Sequence, residues 1–263
     1  MSKRIIIIGG GLTGCSVAAQ LCDTAKEPLD IQIIEPRPLL GRGVAYSADD
    51  PDHRLNAPLI VHFLTPDKGD AFQKWFVEGD ALEHDPDALA PDGNIYARRQ
   101  VFGSYITGEM AGLAKDNKSN STITHVQAQV TDIQFQSNEY HLSLKNQPTL
   151  SAERLVMATG NQAPTAPRPF KGQIEEHPAY FNSPWNLAHI RNIDSKAKIL
   201  IIGAGLTMSD LVATLVKQNH QGRITAISRN GLRPQTHAKP REDGPPRQPF
   251  ENIMADKPDY YNG

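Results

Sequence analysis

Gly9, Gly11 and Gly14 follow directly on four consecutive isoleucines at residues 5–8, and Glu35 closes a second apolar run at residues 30–35. That spacing suits the holding of a dinucleotide. Gly9 permits the tight turn, Gly11 lets the backbone approach a pyrophosphate, and Gly14 lets a helix pack closely on its strand. Thr13 stands in the first turn of that helix, whose free N–H groups and positive end attract phosphate. A carboxylate at the end of the second strand, here Glu35, can accept hydrogen bonds from ribose hydroxyls. A ligand-free glycine-rich turn is the competing reading, and the strand, helix and acidic strand end in this order argue against it.

A second set of residues repeats the first without a gap. Gly203-Ala204-Gly205-Leu206-Thr207-Met208 lies over Gly9-Gly10-Gly11-Leu12-Thr13-Gly14, and Arg229 falls where Glu35 falls. A carboxylate at that place repels a ribose 2′-phosphate, whereas a guanidinium binds it bidentately. Ser228 adds a hydroxyl donor. The first site, with Glu35, therefore suits the adenosine ribose of FAD or NAD. The second, with Gly203, Gly205, Thr207, Ser228 and Arg229, suits NADP. Met208 replaces the third glycine, which weakens close helix–strand packing there. A solvated strand-end arginine is the competing reading of Arg229.

The elements that position these residues follow from periodicity. Residues 5–8 form a β-branched run typical of a parallel strand buried on both faces. Cys15, Ala18, Ala19 and Cys22 then fit one helix face, and residues 30–35 complete a β-turn-α-β unit. Residues 36–119 are irregular and rich in Pro and Asp, with helices expected over 69–78 and 99–115. Alternation over 122–136 and 140–145 predicts antiparallel strands. A buried strand is expected over 153–158, ending in Thr159-Gly160, and a proline-rich connector over 162–169. The second unit comprises a strand over 198–202, a helix with apolar Met208, Leu211, Val212 and Leu215, and a strand over 223–228. Beyond Arg229, Pro234, Pro240, Pro245, Pro246, Pro249 and Pro258 leave no core-forming segment.

Composition narrows the function classes. At 263 residues the chain has room for one large α/β domain or two small ones. A net charge of −2 with no basic stripe gives no reason to expect nucleic acid or an anionic membrane as partner. The apolar run 5–8 is too short for a signal peptide, and no stretch approaches the roughly 18 apolar residues that span a bilayer. A cytoplasmic protein is expected. Cys15 and Cys22 are seven apart on one helix, too far to pair, and read as buried structural thiols. The CxxC pair of disulfide reductases is lacking. The histidines show no metal-ligand spacing, so no metal is expected, and neither a Walker-type loop nor a GxSxG elbow occurs.

Leu155-Val156-Met157-Ala158-Thr159-Gly160-Asn161 resembles the hhhhATG segment of two-dinucleotide-binding flavoproteins. The resemblance implies FAD in the first site, with Thr159 and Gly160 beside it. It also implies that Val130, at the end of a strand over 125–130, touches the adenine through its backbone. Residues 41–46 (GRGVAY) and 53–58 (HRLNAP) resemble the flavin-contacting region of the FAD/NAD(P)-binding family that includes FAD-dependent urate hydroxylases and aspartate N-monooxygenases. Val44 and Asn56 are thereby implied as cofactor contacts. Residues 228–234 (SRNGLRP) resemble that family's second-domain turn, and the resemblance runs from Ile5 to about His237. Phe170, Gly172, His177 and Trp185 resemble a Baeyer–Villiger monooxygenase linker with altered spacing. Only a general kinship with single-component flavin monooxygenases is taken from them, and His177 is expected to be exposed or capping.

The implied fold is α/β: two Rossmann-like dinucleotide-binding units (three-layer, mostly parallel sheet) with a small antiparallel β insertion, the C-terminal part of the usual fold being missing. The expected organisation is an FAD-binding domain over 1–165, a linker over 166–196, an incomplete NADP-binding βαβ unit over 197–232, and an irregular Pro-rich tail over 233–263. The implied function is an FAD-dependent, NADPH-using oxidoreductase of monooxygenase type acting on a small polar molecule. The other reading is an FAD/NAD(P)-binding fragment or degenerate paralogue without independent turnover. A homo-oligomer or a partner chain is expected to cover the open edge. No side chain marks itself as acid or base, so the catalytic residues are unknown. Arg98 and Arg99, next to Tyr96, are expected at a solvated helix start; the other reading has them face flavin or substrate.

Overall fold

The computed structural model describes residues 3–91, 93–232 and 234. β1 (Lys3–Ile8) lies between β2 (Leu29–Ile34) and β7 (Arg154–Met157), and β3 (Thr122–Val126) extends the sheet beyond β2, all four parallel. The alternation of a strand decides where each isoleucine goes. Ile7, Ile31 and Ile33 face Cys15, Ala18, Ala19 and Cys22 of α1 (Leu12–Thr24), Phe72 and Phe76 of α2 (Ala71–Glu78), and Phe102 and Ile106 of α3 (Arg99–Lys115). Ile6, Ile8 and Ile34 face the other way. They pack on Leu142, Leu144 and Ala152 of an antiparallel sheet of β4 (Val130–Gln136), β5 (Glu139–Leu144) and β6 (Gln147–Ala152). The layers are therefore helices, parallel sheet and antiparallel sheet. Each fully buried isoleucine contributes about 1.5–3 kcal/mol of transfer free energy.

Three expectations need correction. The alternating stretch 122–136 is two elements: β3 pairs parallel with β2, and only β4 is antiparallel. Alternation reports a half-buried face, and the direction of the neighbouring strand leaves no trace in it. β6 was not anticipated, because QPTLSA carries little apolar signal. β7, expected to be buried, is the edge strand of its sheet, with Met157 exposed.

A short helix, α4 (Leu187–Arg191), buries Leu187 and Ile190 ahead of the second unit. β8 (Ile199–Ile202) and β9 (Ile224–Ile227) pair parallel, with α5 (Leu206–Lys217) as the crossover. Among the described residues this sheet has two strands, and Leu200 and Ile202, on one face of β8, are 59% and 47% exposed. Parallel sheets are ordinarily covered on both faces. The proline-rich tail expected over 233–263 lies outside the described residues except for Pro234.

Candidate functional site

The first turn is built at the carboxyl end of β1. Gly9 adopts φ +103°, and its N–H donates to the Ile34 carbonyl at 2.9 Å. A Cβ on Gly9 would fall on the carbonyl oxygen of Ala158, and one on Gly14 would fall on the carbonyl oxygen of Gly9. These two glycines are required by the chain itself. Gly11 differs. Its φ of −72° is open to any residue, and an added Cβ would meet only the backbone of Gly43, at 3.4 Å. α1 opens at Gly11 with no side-chain cap, so its first-turn N–H groups, those of Thr13 and Gly14 included, lack intrahelical acceptors.

Glu35 is 4% exposed and clamps this turn. The Gly10 N–H donates to one carboxylate oxygen at 3.0 Å, and the Arg37 N–H and guanidinium both donate to the other at 3.0 Å. Three of roughly four acceptor positions are thus in use, which leaves one for a ribose hydroxyl. Residues 41–47 fold over the turn: the Gly41 N–H donates to the Gly10 carbonyl at 2.7 Å, and Val44 projects into solvent. Thr159 and the left-handed Gly160 follow Ala158, whose N–H is bonded to Ile8 at 2.8 Å. Gly9, Gly11, Thr13, Gly14, Glu35, Val44, Thr159 and Gly160 therefore gather at one end of the parallel sheet, where α/β folds bind ligands.

Val130 packs on the cluster that holds Ile8 and Ile34, the residues that end β1 and β2. It begins β4 opposite Leu144, within the antiparallel layer. The strand beside Glu35 ends instead at Val126, whose carbonyl accepts the Glu35 N–H at 3.1 Å. An irregular connection, residues 127–129, separates the two valines, and periodicity does not disclose it.

The second turn reproduces the first in outline. Gly203 has φ +110°, and its N–H donates to the Ile227 carbonyl at 2.8 Å, as Gly9 does to Ile34. Gly205 caps α5 with an ordinary φ of −91°, and nothing lies within 4 Å of a Cβ placed on it. Nothing in the described chain requires glycine there, so the open approach fits an incoming phosphate group. Thr207 is exposed in the first turn of α5, and Arg229 is exposed beyond β9. The Ser228 hydroxyl donates to the Leu232 carbonyl at 2.9 Å, so its proton is engaged locally and only its oxygen remains to accept.

Arg98 and Arg99 are not a solvated helix start. Arg98 and Arg54 both reach Asp85, Arg54 with two bonds of 2.9 and 3.0 Å. The Arg99 side chain, 14% exposed, pairs with Asp210 of α5 at 2.9 Å and donates to the Asn56 side-chain oxygen at 2.8 Å. Asn56 thus stands at the head of α3. Asp50, His53 and Thr214 are buried beside this pair. Burial pushes the Asp210 carboxyl up, with Arg99 opposing. Burial also acts to raise Asp50, but hydrogen bonds from Asp52 and Thr214 bring it below the usual carboxylate range. Sequence reasoning missed this cluster, although Asp210, Thr214 and Lys217 do form a polar stripe at i, i+4 and i+7 of one helix. His177 is exposed and accepts the Ala179 N–H at 3.1 Å, a local cap.

Elsewhere, a concavity of about 500 Å³ lined by Val77, Glu78, Leu82 and Leu89 shares no residue with either turn. Among the described residues no His, Cys, Asp and Glu group is placed to hold a metal, and no helix is long and apolar enough to cross a membrane.

A parallel sheet whose first strand ends in a glycine turn, followed by a second unit of the same design, defines a Rossmann-type protein with two dinucleotide-binding units. The chain belongs to the FAD-NAD(P)-binding family, whose model matches residues 6–162, and to the L-lysine 6-monooxygenase/L-ornithine 5-monooxygenase family, whose model matches residues 91–241. No curated protein matches it in sequence. Among solved structures it is similar to the ornithine N-hydroxylase of Kutzneria sp. 744 with reduced FAD, NADP+ and L-ornithine, at 16% identity and TM-score 0.60, covering 86% of this chain and 53% of that one. It is also similar to the FAD-bound cadaverine monooxygenase of desferrioxamine biosynthesis from Erwinia amylovora, at 14% identity and TM-score 0.57, covering 86% and 50%. A third is OTEMO with FAD and NADP, at 16% identity and TM-score 0.51, covering 85% and 38%. At these identities the likeness is one of fold. The chain spans between about two fifths and just over half of the length of these proteins.

Proposed function

We propose that the chain binds FAD at the 9–14 turn and NADPH at the 203–208 turn, and serves a monooxygenase reaction on a small polar amine. The observation that carries this reading is the pair of middle glycines, Gly11 and Gly205. Each has an ordinary φ and faces space that no side chain fills, one followed by a buried carboxylate and the other by an exposed guanidinium. When bound, FAD supplies oxygen activation and NADPH the reducing equivalents.

The chain's own residues do the holding. The open N-termini of α1 and α5 present N–H groups to the phosphates. Glu35 steadies the first turn and offers its remaining acceptor position to a ribose. Arg229 meets the 2′-phosphate of the second nucleotide. Val44, Thr159 and Gly160 flank the first nucleotide, and Asn56 offers it an amide. In this reading residues 1–165 form the FAD unit, 166–196 the linker and 197–232 the NADP unit. The small-amine substrate class is supported by the second family model and by the L-ornithine and cadaverine enzymes of like fold.

The test is direct. The purified chain is expected to take up FAD, and NADPH added without oxygen is expected to bleach the oxidised-flavin band where NADH does not. A chain that takes up no FAD overturns the proposal. Uptake without bleaching would favour a second reading, a nucleotide-binding chain without turnover of its own. The uncovered face of β8 gives that reading its support.

A further inference from the structure

The two nucleotide units meet through polar side chains withdrawn from water. The Thr214 hydroxyl donates to the Asp50 carboxylate at 2.7 Å, and His53 Nε2 lies 3.0 Å from the same hydroxyl oxygen and 3.2 Å from the Asp210 carbonyl. A hydroxyl has one proton, and a carbonyl has none. With the Thr214 proton engaged by Asp50, both neighbours of Nε2 are acceptors, so Nε2 carries the hydrogen and donates. The bonds thus run in one direction, from an imidazole on the first unit through a hydroxyl on the second and back to a carboxylate on the first.

Arg99 sits beside this relay and forks three ways. Nε donates to the Arg54 carbonyl at 2.9 Å, one terminal nitrogen donates to the Asn56 oxygen at 2.8 Å, and the other meets the Asp210 carboxylate at 2.9 Å. A guanidinium has only donors, so the oxygen of the Asn56 amide must face it. The amide nitrogen of Asn56, an exposed residue, is thereby turned away from Arg99 with two N–H groups to offer. The helix that carries Arg99 also carries the loop over the first turn: Leu40 and Gly41 rest on Thr107 and Ile106 of α3, an axial distance of about 10–12 Å from Arg99. Asp210 lies in the second turn of α5, the helix whose N-terminus follows Gly205.

We propose that Arg99 is a positioning residue: it holds the Asn56 amide as a hydrogen-bond donor to the first nucleotide, and it makes that orientation depend on Asp210 of the second unit. The inference rests on the proposed function, in which the 9–14 turn is the FAD site and Asn56 one of its contacts. It requires a planar fork with three donor nitrogens, which the single ammonium nitrogen of lysine cannot supply. Binding at the second turn acts on the helix that holds Asp210, so the two sites are energetically coupled, and the coupling is reciprocal.

The experiment titrates FAD into the full chain freed of flavin, with and without NADP+. The proteins are the unaltered chain, Asp210→Asn, Arg99→Lys, Asn56→Ala and the double variant Asn56→Ala/Asp210→Asn. Visible circular dichroism of the bound flavin and thermal unfolding are recorded alongside. Asp210→Asn and Arg99→Lys are each expected to weaken FAD binding by roughly tenfold, within the ordinary range of coupling between sites. Both are expected to alter the flavin dichroism and to reduce the effect of NADP+ on FAD affinity. In the Asn56→Ala background Asp210→Asn is expected to add nothing. Unchanged FAD affinity and dichroism in both single variants, with only the melting temperature lowered, would reduce Arg99 to interface glue and overturn the proposal. Additive effects in the double variant would overturn the route through Asn56. Should Arg99→Lys not fold, the near-isosteric Asp210→Asn decides by itself. An unaltered chain that takes up no FAD overturns the flavin reading and this inference with it, an outcome distinct from the others.

Discussion

The glycines of the first turn look alike on paper and do different work. Gly14 has no room for a methyl group, because its Cβ would land on the Gly9 carbonyl, whereas Gly11 has room for one at an ordinary contact distance from Gly43. Gly14→Ala is therefore expected to destabilise the fold by about 1–3 kcal/mol, as overpacking does. Gly11→Ala is expected to leave thermal stability nearly unchanged while FAD retention falls sharply. Flavin content and melting temperature of the two purified variants check this. A Gly11→Ala protein that keeps its flavin would show that no nucleotide passes over that glycine. At the second turn, Arg229→Ala is expected to erode a preference for NADPH over NADH by about 10- to 100-fold, the value of a charge-assisted pair of about 1.5–3 kcal/mol. Equal affinities of the unaltered chain for both coenzymes would leave Arg229 a surface charge.

Among the elements, α4 is tied down by one ion pair of simple geometry. Arg191 reaches both oxygens of Asp49 at 2.8 and 3.0 Å, and its hydrogen bonds hold the Asp49 carboxyl below the usual range. A carboxyl depressed in the folded state adds stability that is present above its unfolded value and lost as pH falls through the folded one. The acid limb of melting temperature against pH, below about pH 4, is expected to flatten in Asp49→Asn. An unaltered limb in that variant would mean the pair is too solvated to matter. The sequence makes α1, α3, α5 and both glycine turns legible, because their signals are local: apolar spacing within one helix, or a glycine that the backbone angle demands. It does not make β3 legible as a parallel strand, β6 legible at all, or Val126 as the residue beside Glu35. Those depend on which strand lies next to which. The Arg99–Asp210 pair joins residues 111 positions apart, and no periodicity links them.

For the molecule as a whole, the least settled surface is the face of β8 bearing Leu200 and Ile202, which neither α5 nor any other described element covers. Exposed apolar strands seek partners. The hydrophobic dye ANS is expected to bind this face, and Leu200→Thr/Ile202→Thr is expected to lower that fluorescence while leaving the first unit's FAD uptake intact. Dye binding unaffected by the double substitution would place the sticky surface elsewhere. The sealed first unit offers a contrasting tool. Cys15 is fully buried, its Sγ 3.4 Å from the carbonyl of Gly10, and burial raises its thiol to about pKa 12, with Gly41 opposing and the Glu35 charge adding. A reagent in solution can meet that sulfur only when α1 lifts from the sheet, which also takes the glycine turn apart. A ligand that binds only the closed form lowers the open population by the factor 1 + [L]/Kd. The labelling rate of this one thiol is therefore a built-in clock, slowing in proportion to how fully the turn above it is occupied.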